Sequence, residues 1–329
     1  MITISDFAII YNPLSAAGKS KKGISLAEKY LSELGIKYTL FKSEYQGHAI
    51  ELAAQCARDG YTVVAAGGDG TCNEVMHGVI SSRTGVLCGF IPMGSGNDIP
   101  AAIGIKSDVK RACEILAEHN TNKFDIGLAK TDNGVERYFL GIGSQGFDAL
   151  VTKRTNEGKK WLPGTWNYIA SVVRTIFSWK NRKVRVILDD QSFEIDCNLV
   201  AVGNGPSYGG MMYICNNAKV NDGKFHITIV QMGKLKLLID FNKMYDASLT
   251  PHPNVFEYVS KRVRIEMVKN DSFKEKDSYI CQVDGEVLGS IPVSYECIEN
   301  GYEFICPPCD EVAEAFKAKN KRYFYEPHH

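Results

Sequence analysis

The sequence has no excess of charge of either sign, because its 329 residues include 38 Lys and Arg and 38 Asp and Glu. A balanced chain has no overall field that would attract nucleic acid, so we predict that it binds none. No apolar run approaches the roughly 18 residues that span a bilayer. The first ten residues lack the basic start and the small-residue cleavage site of a signal peptide. We therefore predict a cytoplasmic protein that is at most peripheral at the inner face of a membrane.

The ten cysteines do not form the pattern of a disulfide framework. They are dispersed along the chain, and several lie inside apolar strand or helix patterns, where a free thiol packs as a small hydrophobe. This usage favours a reducing compartment. Cys306 and Cys309 have the CxxC spacing, but neither a second pair of zinc ligands nor a thioredoxin-like context accompanies them. We interpret them as loop cysteines.

The most informative stretch lies in the first third of the chain. An apolar run, Tyr61–Ala66, leads directly into Gly67–Thr71, and the alternation from Asn73 to Val79 is typical of the first turns of a buried helix. Such a junction directs backbone N–H groups and the positive end of a helix at one spot, and glycines let an anion approach closely. The pattern favours a bound phosphate. An ordinary turn of two glycines and an Asp is the alternative that this stretch alone leaves open.

Short strands and helices alternate through the first hundred residues. The predicted strands are 6–11, 37–41, 62–66 and 87–91, and the predicted helices include 24–34 and 49–58. This alternation predicts a parallel sheet with helices on both faces, in which ligands bind at the carboxyl ends of the strands. The loops at Asn12 and Gly67 and a second Gly-rich turn, Pro92–Pro100, would share that edge.

Common nucleotide-binding motifs are incomplete here. Gly18-Lys19-Ser20 resembles the end of a P-loop, but Pro13 stands where that motif needs a glycine. Gly94-Ser95-Gly96 begins like a dinucleotide fingerprint, but Ile99 occupies the third glycine position. A complete GxGxxG occurs at 141–146, with no evident βαβ unit after it, so a structural turn is favoured there over a Rossmann site.

From Phe124 onward the pattern changes to strands separated by Asp-Asp, Asn-Gly and Asp-Gly turns. The predicted strands are 183–188, 192–202, 224–231, 262–267, 279–283 and 293–298. Runs of strands with turn signals predict an antiparallel β-sandwich. We predict an α/β domain over 1–123 together with 306–329, and a sandwich domain over 124–305. One helix is predicted at 166–180, and a terminal helix at 310–319 could pack on the first domain.

The ordered set of motifs resembles the diacylglycerol kinase and sphingosine kinase family of lipid kinases, most closely its bacterial soluble type. The motifs that support the resemblance are Asn12-Pro13, Gly67–Gly78, Pro92–Asp98, Gly143–Asp148, Gly203–Gly210, Ala218–Gly223 and Val283–Glu286. The resemblance covers nearly the whole chain. It implies an NAD kinase-like α/β domain followed by an antiparallel β-sandwich domain, and ATP-dependent phosphorylation of a hydroxyl of diacylglycerol or a related lipid.

The resemblance also implies a nucleotide shell and a requirement for Mg²⁺. The implied ATP-binding residues are Asn12, Pro13, Ser15, Ser43, Gly67, Gly68, Asp69, Gly70, Thr71, Asn73, Glu74, Gly94, Ser95, Gly96 and Asn97. Asp69 is expected either to touch the metal or to order the loop. Mg²⁺ would bridge the phosphates, since phosphoryl transfer depends mainly on positioning and charge neutralisation.

Two acidic turns of the second domain match motifs of the family. Asp284-Gly285-Glu286 resembles the catalytic turn, which implies Glu286 as general base on the lipid hydroxyl with Asp284 beside it; an ordinary hairpin is the alternative. Asn221–Lys224 resembles an accessory Mg²⁺ loop, which implies Asp222 with the carbonyls of Lys219 and Lys224 as ligands. Asn221 and Asn216 depart from the usual Asp and Pro, so a plain type I turn stays open.

Three further interpretations remain open at this point. An NAD kinase shares Gly67–Thr71, and a nucleotide-binding regulator without turnover would keep the same loops. The basic and aromatic stretch 153–183 is typical either of an interfacial helix on anionic lipid or of an amphipathic helix covering the sandwich. A lipid substrate implies transient contact with a membrane surface, and a homodimer is neither favoured nor excluded.

Overall fold

The computed structural model describes residues 6–13, 19–157, 164–268 and 279–308. The chain divides into two compact units, one comprising Met1–Ile126 with Glu299–His329 and the other comprising Gly127–Ile298. The predicted domain limits were 123/124 and 305/306, and they stay a prediction. The predicted terminal helix at 310–319 lies outside the described residues.

The first unit is an α/β fold built on a parallel sheet. Its elements are β1 (Phe7–Tyr11), α1 (Lys19–Glu33), β2 (Tyr38–Lys42), α2 (His48–Arg58), β3 (Thr62–Gly67), α3 (Asp69–Ser82), β4 (Cys88–Pro92), α4 (Asp98–Ala102) and α5 (Val109–Glu118). Strand order is β2-β1-β3-β4, with every neighbouring pair parallel. In parallel pairs the carboxyl ends lie at one edge, so the loops after Tyr11, Lys42, Gly67 and Pro92 emerge together.

Burial explains why these segments are strands. All six residues of β3 and all five of β4 are buried, which is typical of a sheet covered by helices on both faces. The helices α2 and α3 pack against each other closely, because an added Cβ at Gly78 would lie 2.9 Å from the Cβ of Ala53. Gly78 therefore permits this helix contact.

The second unit begins where the strand β5 (Thr121–Thr131) crosses the division between Ile126 and Gly127. The remaining elements are β6 (Glu136–Phe139), β7 (Ile142–Gly146), α6 (Phe147–Glu157), α7 (Gly164–Ser178), β8 (Arg182–Ile187), β9 (Ser192–Cys197), β10 (Leu199–Gly203), β11 (Ser207–Tyr208), β12 (Met212–Tyr213), β13 (Phe225–Val230), α8 (Lys234–Asp240), a 3₁₀ helix (Phe241–Met244), β14 (Val255–Ser260), β15 (Arg262–Met267), β16 (Ile280–Val283), β17 (Glu286–Ser290) and β18 (Val293–Ile305).

Two antiparallel layers enclose the core of this unit. One is the six-stranded sheet β14-β13-β10-β7-β16-β17, and the other contains β15 paired with β8 and with the start of β18, with β9 beside β8. Buried residues of both layers, among them Val202, Ile227, Val186 and Ile265, belong to one hydrophobic cluster. The predicted antiparallel sandwich is therefore confirmed. None of the described helices is long and apolar enough to cross a membrane.

The structure corrects two details of the second unit. A strand predicted over 192–202 is two strands, β9 and β10, which lie in different sheets. The GxGxxG at 141–146 is followed by a helix, α6, which the sequence did not reveal. Its strand β7 is antiparallel to both neighbours, β10 and β16, so it is not part of a parallel βαβ unit. The Rossmann interpretation of this motif is therefore wrong.

Candidate functional site

Two glycine turns meet at the carboxyl edge of the parallel sheet. The strands β3 and β4 are paired up to their last residues, Gly67 and Pro92. Just beyond this pair, the Met93 amide donates to the Gly67 carbonyl at 2.8 Å. A Cβ added to Gly94 would lie 2.5 Å from the Cα of Gly68. Only residues without side chains allow this approach, so the two turns form one interlocked backbone surface.

The Asp69 carboxylate joins the two turns. Its Oδ2 accepts the Asn97 amide at 2.8 Å and its Oδ1 accepts the Ile99 amide at 2.9 Å. These amides belong to the start of α4, where backbone donors would otherwise lack intrahelical partners. Burial, with the neighbouring charge of Asp98, raises the pKa of Asp69 to about 6. Asp69 was expected either to touch the metal or to order the loop, and these two hydrogen bonds support the ordering of the loop.

Asn97 fixes the second turn from within. Its backbone is left-handed with φ 58°, and its Oδ1 accepts the Gly94 amide at 2.8 Å. Its Nδ2 donates to the Gly94 carbonyl at 2.9 Å and to the Ser107 hydroxyl at 3.0 Å. The Asn97 side chain thus holds the two ends of the turn together, and Ser95, which lies between them, is exposed.

The other predicted nucleotide residues of the first turn are mostly buried. Thr71 and Asn73 lie inside α3, while Gly70 is exposed. Thr71 packs over Gly67, since a Cβ added there would lie 2.7 Å from the Cβ of Thr71. Glu74 accepts the Gly47 amide at 3.1 Å, which anchors the loop before α2. Thr71 therefore packs against the first turn, and Glu74 holds the loop before α2.

Two more loops reach the same edge of the sheet. Asn12 and Pro13 directly follow β1, with Asn12 partly exposed and Pro13 buried. Ser43 follows β2, and its amide donates to the Tyr11 carbonyl at 2.9 Å. The structure thus brings Asn12, Pro13 and Ser43 to the edge that holds the glycine turns. Ser15 lies outside the described residues.

In the second unit, Asp284 occupies a tight hairpin turn between β16 and β17. Asp284 and Gly285 have φ of 47° and 88°, which matches the left-handed pair of a two-residue hairpin. The Asp284 carboxylate accepts three backbone amides, from Leu140 at 3.1 Å, Gly141 at 3.1 Å and Ile142 at 3.0 Å. A carboxylate engaged by three donors positions its turn against the start of β7.

The side-chain amides of Gln282 and Asn204 also hold this turn, and no sequence motif predicts these two roles. Gln282 accepts the Gly285 amide at 2.7 Å and donates to the Ser144 hydroxyl at 2.5 Å. Asn204 donates from Nδ2 to the Leu140 carbonyl at 2.9 Å. Glu286 is the first residue of β17 and is partly exposed. The network therefore fixes the backbone on which the Glu286 side chain stands. In the sequence, the only sign of this hydrogen-bond network is the presence of Gln282 and Asn204.

The predicted metal loop contains one carboxylate with an available oxygen. Asp222 Oδ2 lies 3.0 Å from Nε2 of His226, whereas Oδ1 is buried and has no hydrogen-bond partner. Lys219 and Lys224 flank it in the same loop, where they would contribute carbonyls. No group of three or more His, Cys, Asp or Glu among the described residues is arranged to hold a metal ion. A cation here would therefore depend on one carboxylate oxygen and backbone carbonyls.

The two units match two family models in order. Residues 6–129 match the diacylglycerol kinase catalytic domain, and residues 141–305 match the YegS C-terminal NAD kinase beta sandwich-like domain. A diacylglycerol kinase of Staphylococcus epidermidis is 30% identical over 301 residues, covering 91% of each chain. The chain belongs to the diacylglycerol kinase family.

Membership of the diacylglycerol kinase family makes the chain a lipid kinase, which confirms the predicted enzyme class. A diacylglycerol kinase of Staphylococcus haemolyticus is 29% identical over 304 residues, covering 92% of this chain and 88% of the relative. A crystal structure of a diacylglycerol kinase from Bacillus anthracis has a TM-score of 0.68 at 19% identity, covering 94% of this chain and 99% of that one. This last likeness confirms the predicted fold class.

Proposed function

We propose that this chain transfers the γ-phosphoryl group of ATP to a hydroxyl of diacylglycerol or a related lipid. The observation that most supports the proposal is the contact of Gly68 with Gly94, held by the Asp69 carboxylate at the edge of the parallel sheet. Backbone N–H groups at such an edge suit a polyphosphate, because glycine lets the anion approach and helix starts favour negative charge.

In this proposal the nucleotide shell has an outer and an inner part. Asn12, Gly70 and Ser95 are at least partly exposed and are suited to touch phosphate or ribose. Asp69, Thr71, Asn73, Glu74 and Asn97 act mainly by holding loops at this edge. Thr71, Asn73 and Asn97 are buried, and Asp69 and Glu74 accept backbone amides. The remaining proposed members are Pro13, Ser15, Ser43, Gly67, Gly68, Gly94 and Gly96.

Glu286 is the general base of the proposed reaction. As the lipid hydroxyl oxygen attacks the γ-phosphorus, Glu286 takes the hydroxyl proton on a carboxylate oxygen. The bond from the γ-phosphorus to the β,γ-bridging oxygen breaks, and its electron pair leaves with ADP. Asp284 is a positioning residue, because its oxygens already accept the three amides at Leu140, Gly141 and Ile142.

Mg²⁺ fits the proposal at two places. Bound to the phosphates, it would neutralise charge during transfer. In the second unit, the free Oδ1 of Asp222 suits one hard cation, with the carbonyls of Lys219 and Lys224 as the other protein ligands. The Asp222–His226 contact would keep the carboxylate oriented toward the cation.

The substrate class is tested with γ-labelled ATP, Mg²⁺ and a panel of acceptors. The panel contains diacylglycerol, monoacylglycerol, a sphingoid base, phosphatidylglycerol and NAD. We expect label in diacylglycerol or a close relative, measured by thin-layer chromatography. Labelled NAD would replace the lipid kinase proposal with an NAD kinase, and the absence of any labelled product would favour a regulator without turnover.

The role of Glu286 is tested by Glu286→Gln. We expect a loss of turnover of at least about a hundredfold, because the amide accepts no proton, with ATP affinity nearly unchanged. Glu296→Gln is the matched control, since Glu296 is an exposed glutamate of the same unit. Turnover of Glu286→Gln equal to that of the control would remove Glu286 as the base.

A further inference from the structure

A chain of buried polar side chains leads from the turn at 284–286 to the carboxylate of Asp148. The Gly285 amide donates to Gln282 Oε1 at 2.7 Å, and Gln282 Nε2 donates to the Ser144 hydroxyl at 2.5 Å. Ser144 and Gln282 lie directly opposite each other on β7 and β16, and both are fully buried. The Ser144 hydroxyl is in turn hydrogen-bonded to Asp148. Asp148 therefore ends a hydrogen-bond chain that begins at the turn carrying the proposed general base.

The donors of this chain all point toward Asp148. Gln282 could turn either the oxygen or the NH₂ of its amide toward Gly285, and only the oxygen can accept the Gly285 N–H. The NH₂ is held on the other side because Ser144 accepts from it, while Ser144 directs its own hydrogen to Asp148. A carboxylate at the end of the chain thus fixes the orientation of each group before it.

The Asp148 carboxylate is buried and has a further donor. It lies in the first turn of α6, where the positive end of a helix favours negative charge. Tyr208 of β11 donates to its Oδ2 at 3.0 Å. Burial raises the pKa of Asp148, whereas the hydrogen bonds with Ser144 and Tyr208 lower it. A buried carboxyl group costs stability that an apolar residue would not cost, so its presence favours a role beyond packing.

The helix that carries Asp148 also contacts the turn directly. The helix α6 is in contact with β16 and β17, the two strands that the turn joins. Asn156, about two helical turns after Asp148, donates from Nδ2 to the Gly285 carbonyl at 3.3 Å. Both polar groups of Gly285 are therefore tied to α6, the N–H through the hydrogen-bond chain and the C=O through Asn156.

We propose that Asp148 is a positioning residue for Glu286. It orients the Gln282 amide, which holds the Gly285 peptide and thereby sets where the next residue, Glu286, begins β17. A general base must lie within hydrogen-bond reach of the proton that it takes, and small misplacements reduce turnover steeply. The inference rests on the proposed function, in which Glu286 is the base, and Asp148 acts only through the turn.

The first test is steady-state kinetics of Ser144→Ala and Asp148→Ala, which interrupt the chain at two points. We expect kcat for phosphorylation of diacylglycerol to fall about tenfold in each variant, with KM for ATP and for the lipid changed by less than about twofold. Because both residues act through one chain, the double variant should lose little more than the slower single variant. Losses that multiply in the double variant would mean independent structural damage and would overturn the proposal.

Tyr295→Phe is the matched control. It removes a buried hydroxyl that donates to Gln145 at 3.1 Å, next to Ser144 on β7. Adjacent residues of a strand point to opposite faces, so this hydrogen bond is separate from the chain. The kcat of Tyr295→Phe should equal that of the wild type. Where Asp148→Ala does not fold, Ser144→Ala decides the question, because it leaves the contact of Asp148 with Tyr208 in place.

The second test does not depend on turnover. Hydrogen exchange followed by mass spectrometry measures the protection of the backbone amides at 282–287 in the protein without substrate. Ser144→Ala and Asp148→Ala should exchange at least roughly tenfold faster there than the wild type and Tyr295→Phe, because the Gln282 amide is no longer held. Equal exchange in all four proteins would overturn the positioning role.

Failure of the proposed function gives a different result. If Glu286→Gln keeps the turnover of the wild type, the base assignment fails and with it the catalytic role of Asp148, even where exchange shows that Asp148 orders the turn. If Glu286→Gln loses turnover while Ser144→Ala keeps the wild-type kcat, the base stands and the positioning role is wrong. When both are correct, Ser144→Ala added to Glu286→Gln should leave the residual turnover unchanged, since no base is left to position.

Discussion

Asp69 is held between opposing influences. Two backbone amides at the start of α4 stabilise its charged form, while burial and the nearby Asp98 disfavour it. The result is a carboxyl group with a pKa raised to about 6. The interlocked glycine turns therefore depend on a group whose charge changes close to neutrality.

The pH dependence of stability should reveal this group. The pKa is higher in the folded state than the ordinary 3.8, so the folded chain holds a proton that the unfolded chain has lost. The contribution of Asp69 to stability is therefore fully present below about pH 4 and is lost as the pH rises through about 6. Relative to Asp69→Asn, the wild type should lose at most about 1.4 kcal/mol of unfolding free energy per pH unit in that window.

The measurement is urea unfolding of wild type and Asp69→Asn from pH 4 to pH 7. The quantity of interest is the difference between the two free energies of unfolding at each pH, because other titrating groups cancel in it. A difference that does not change with pH would mean that Asp69 keeps an ordinary pKa in the folded chain.

The sequence identifies Asp69 as a site residue, but it does not reveal the hydrogen-bond partners of Asp69. The spacing Gly67–Thr71 identified the loop because adjacent glycines and an acid have a local meaning. The Asn97 and Ile99 amides are 28 and 30 residues away, and no local pattern encodes that pairing. The same applies to Asp284, whose three donors lie more than 140 residues earlier.

At the scale of elements, the site depends on two turns that touch without side chains. Gly68 and Gly94 approach so closely that neither can become alanine without moving the other strand end. Asn97, which closes the second turn, would also be displaced, because a Cβ on Gly94 would lie 2.8 Å from its Oδ1.

Gly94→Ala should therefore weaken ATP binding more than it weakens the fold. We expect at least a tenfold loss of affinity, about 1.4 kcal/mol, because the backbone donors of both turns must shift. The measurement is calorimetric titration with ATP and Mg²⁺, alongside urea unfolding. Gly233→Ala is the control, since a Cβ there meets nothing within 4 Å and its φ is −70°. ATP affinity of Gly94→Ala equal to that of Gly233→Ala would contradict the interlocked-turn model.

Element boundaries were predictable where periodicity was strong. The strand at 262–267 is β15 with the same limits, and the helix at 49–58 is α2 within one residue. The sequence predicts a single strand over 192–202, because Asn198, the one residue between β9 and β10, comes without a turn signal around it. In the structure Asn198 instead accepts the Met232 amide and donates to Asn181, which fixes the point where the chain changes sheets.

At the scale of the whole molecule, the first unit is completed by the end of β18. Phe304 pairs with Cys88 of β4 and its ring lies 5.6 Å from that of Phe90 and 6.2 Å from that of Phe124. The Asn300 amide donates to Asp125 across 175 residues of chain. The sequence predicts that the chain re-enters the first domain at residue 306. A continuous strand such as β18 has no sequence pattern that marks where it passes from one unit to the other.

Phe304→Ala should therefore destabilise the first unit strongly. Phe304 is fully buried, so we expect a loss of about 3–5 kcal/mol in unfolding free energy from lost burial and an unfilled cavity. Phe177→Ala, the same substitution at an exposed site, should change stability by less than about 0.5 kcal/mol. Both are measured by urea unfolding followed by circular dichroism.

The same dependence predicts how the N-terminal segment behaves alone. A fragment ending at Ile126 keeps β1 to β4 but lacks Phe304, so the rings of Phe90 and Phe124 lose their partner and β4 has an exposed edge. We expect this fragment to unfold without a cooperative transition or to associate, and we expect a peptide of residues 299–308 to restore a transition when added. A fragment that unfolds cooperatively as a monomer without the peptide would mean that the first unit does not require β18 for folding. The large loss of stability expected of Phe304→Ala would then need another cause.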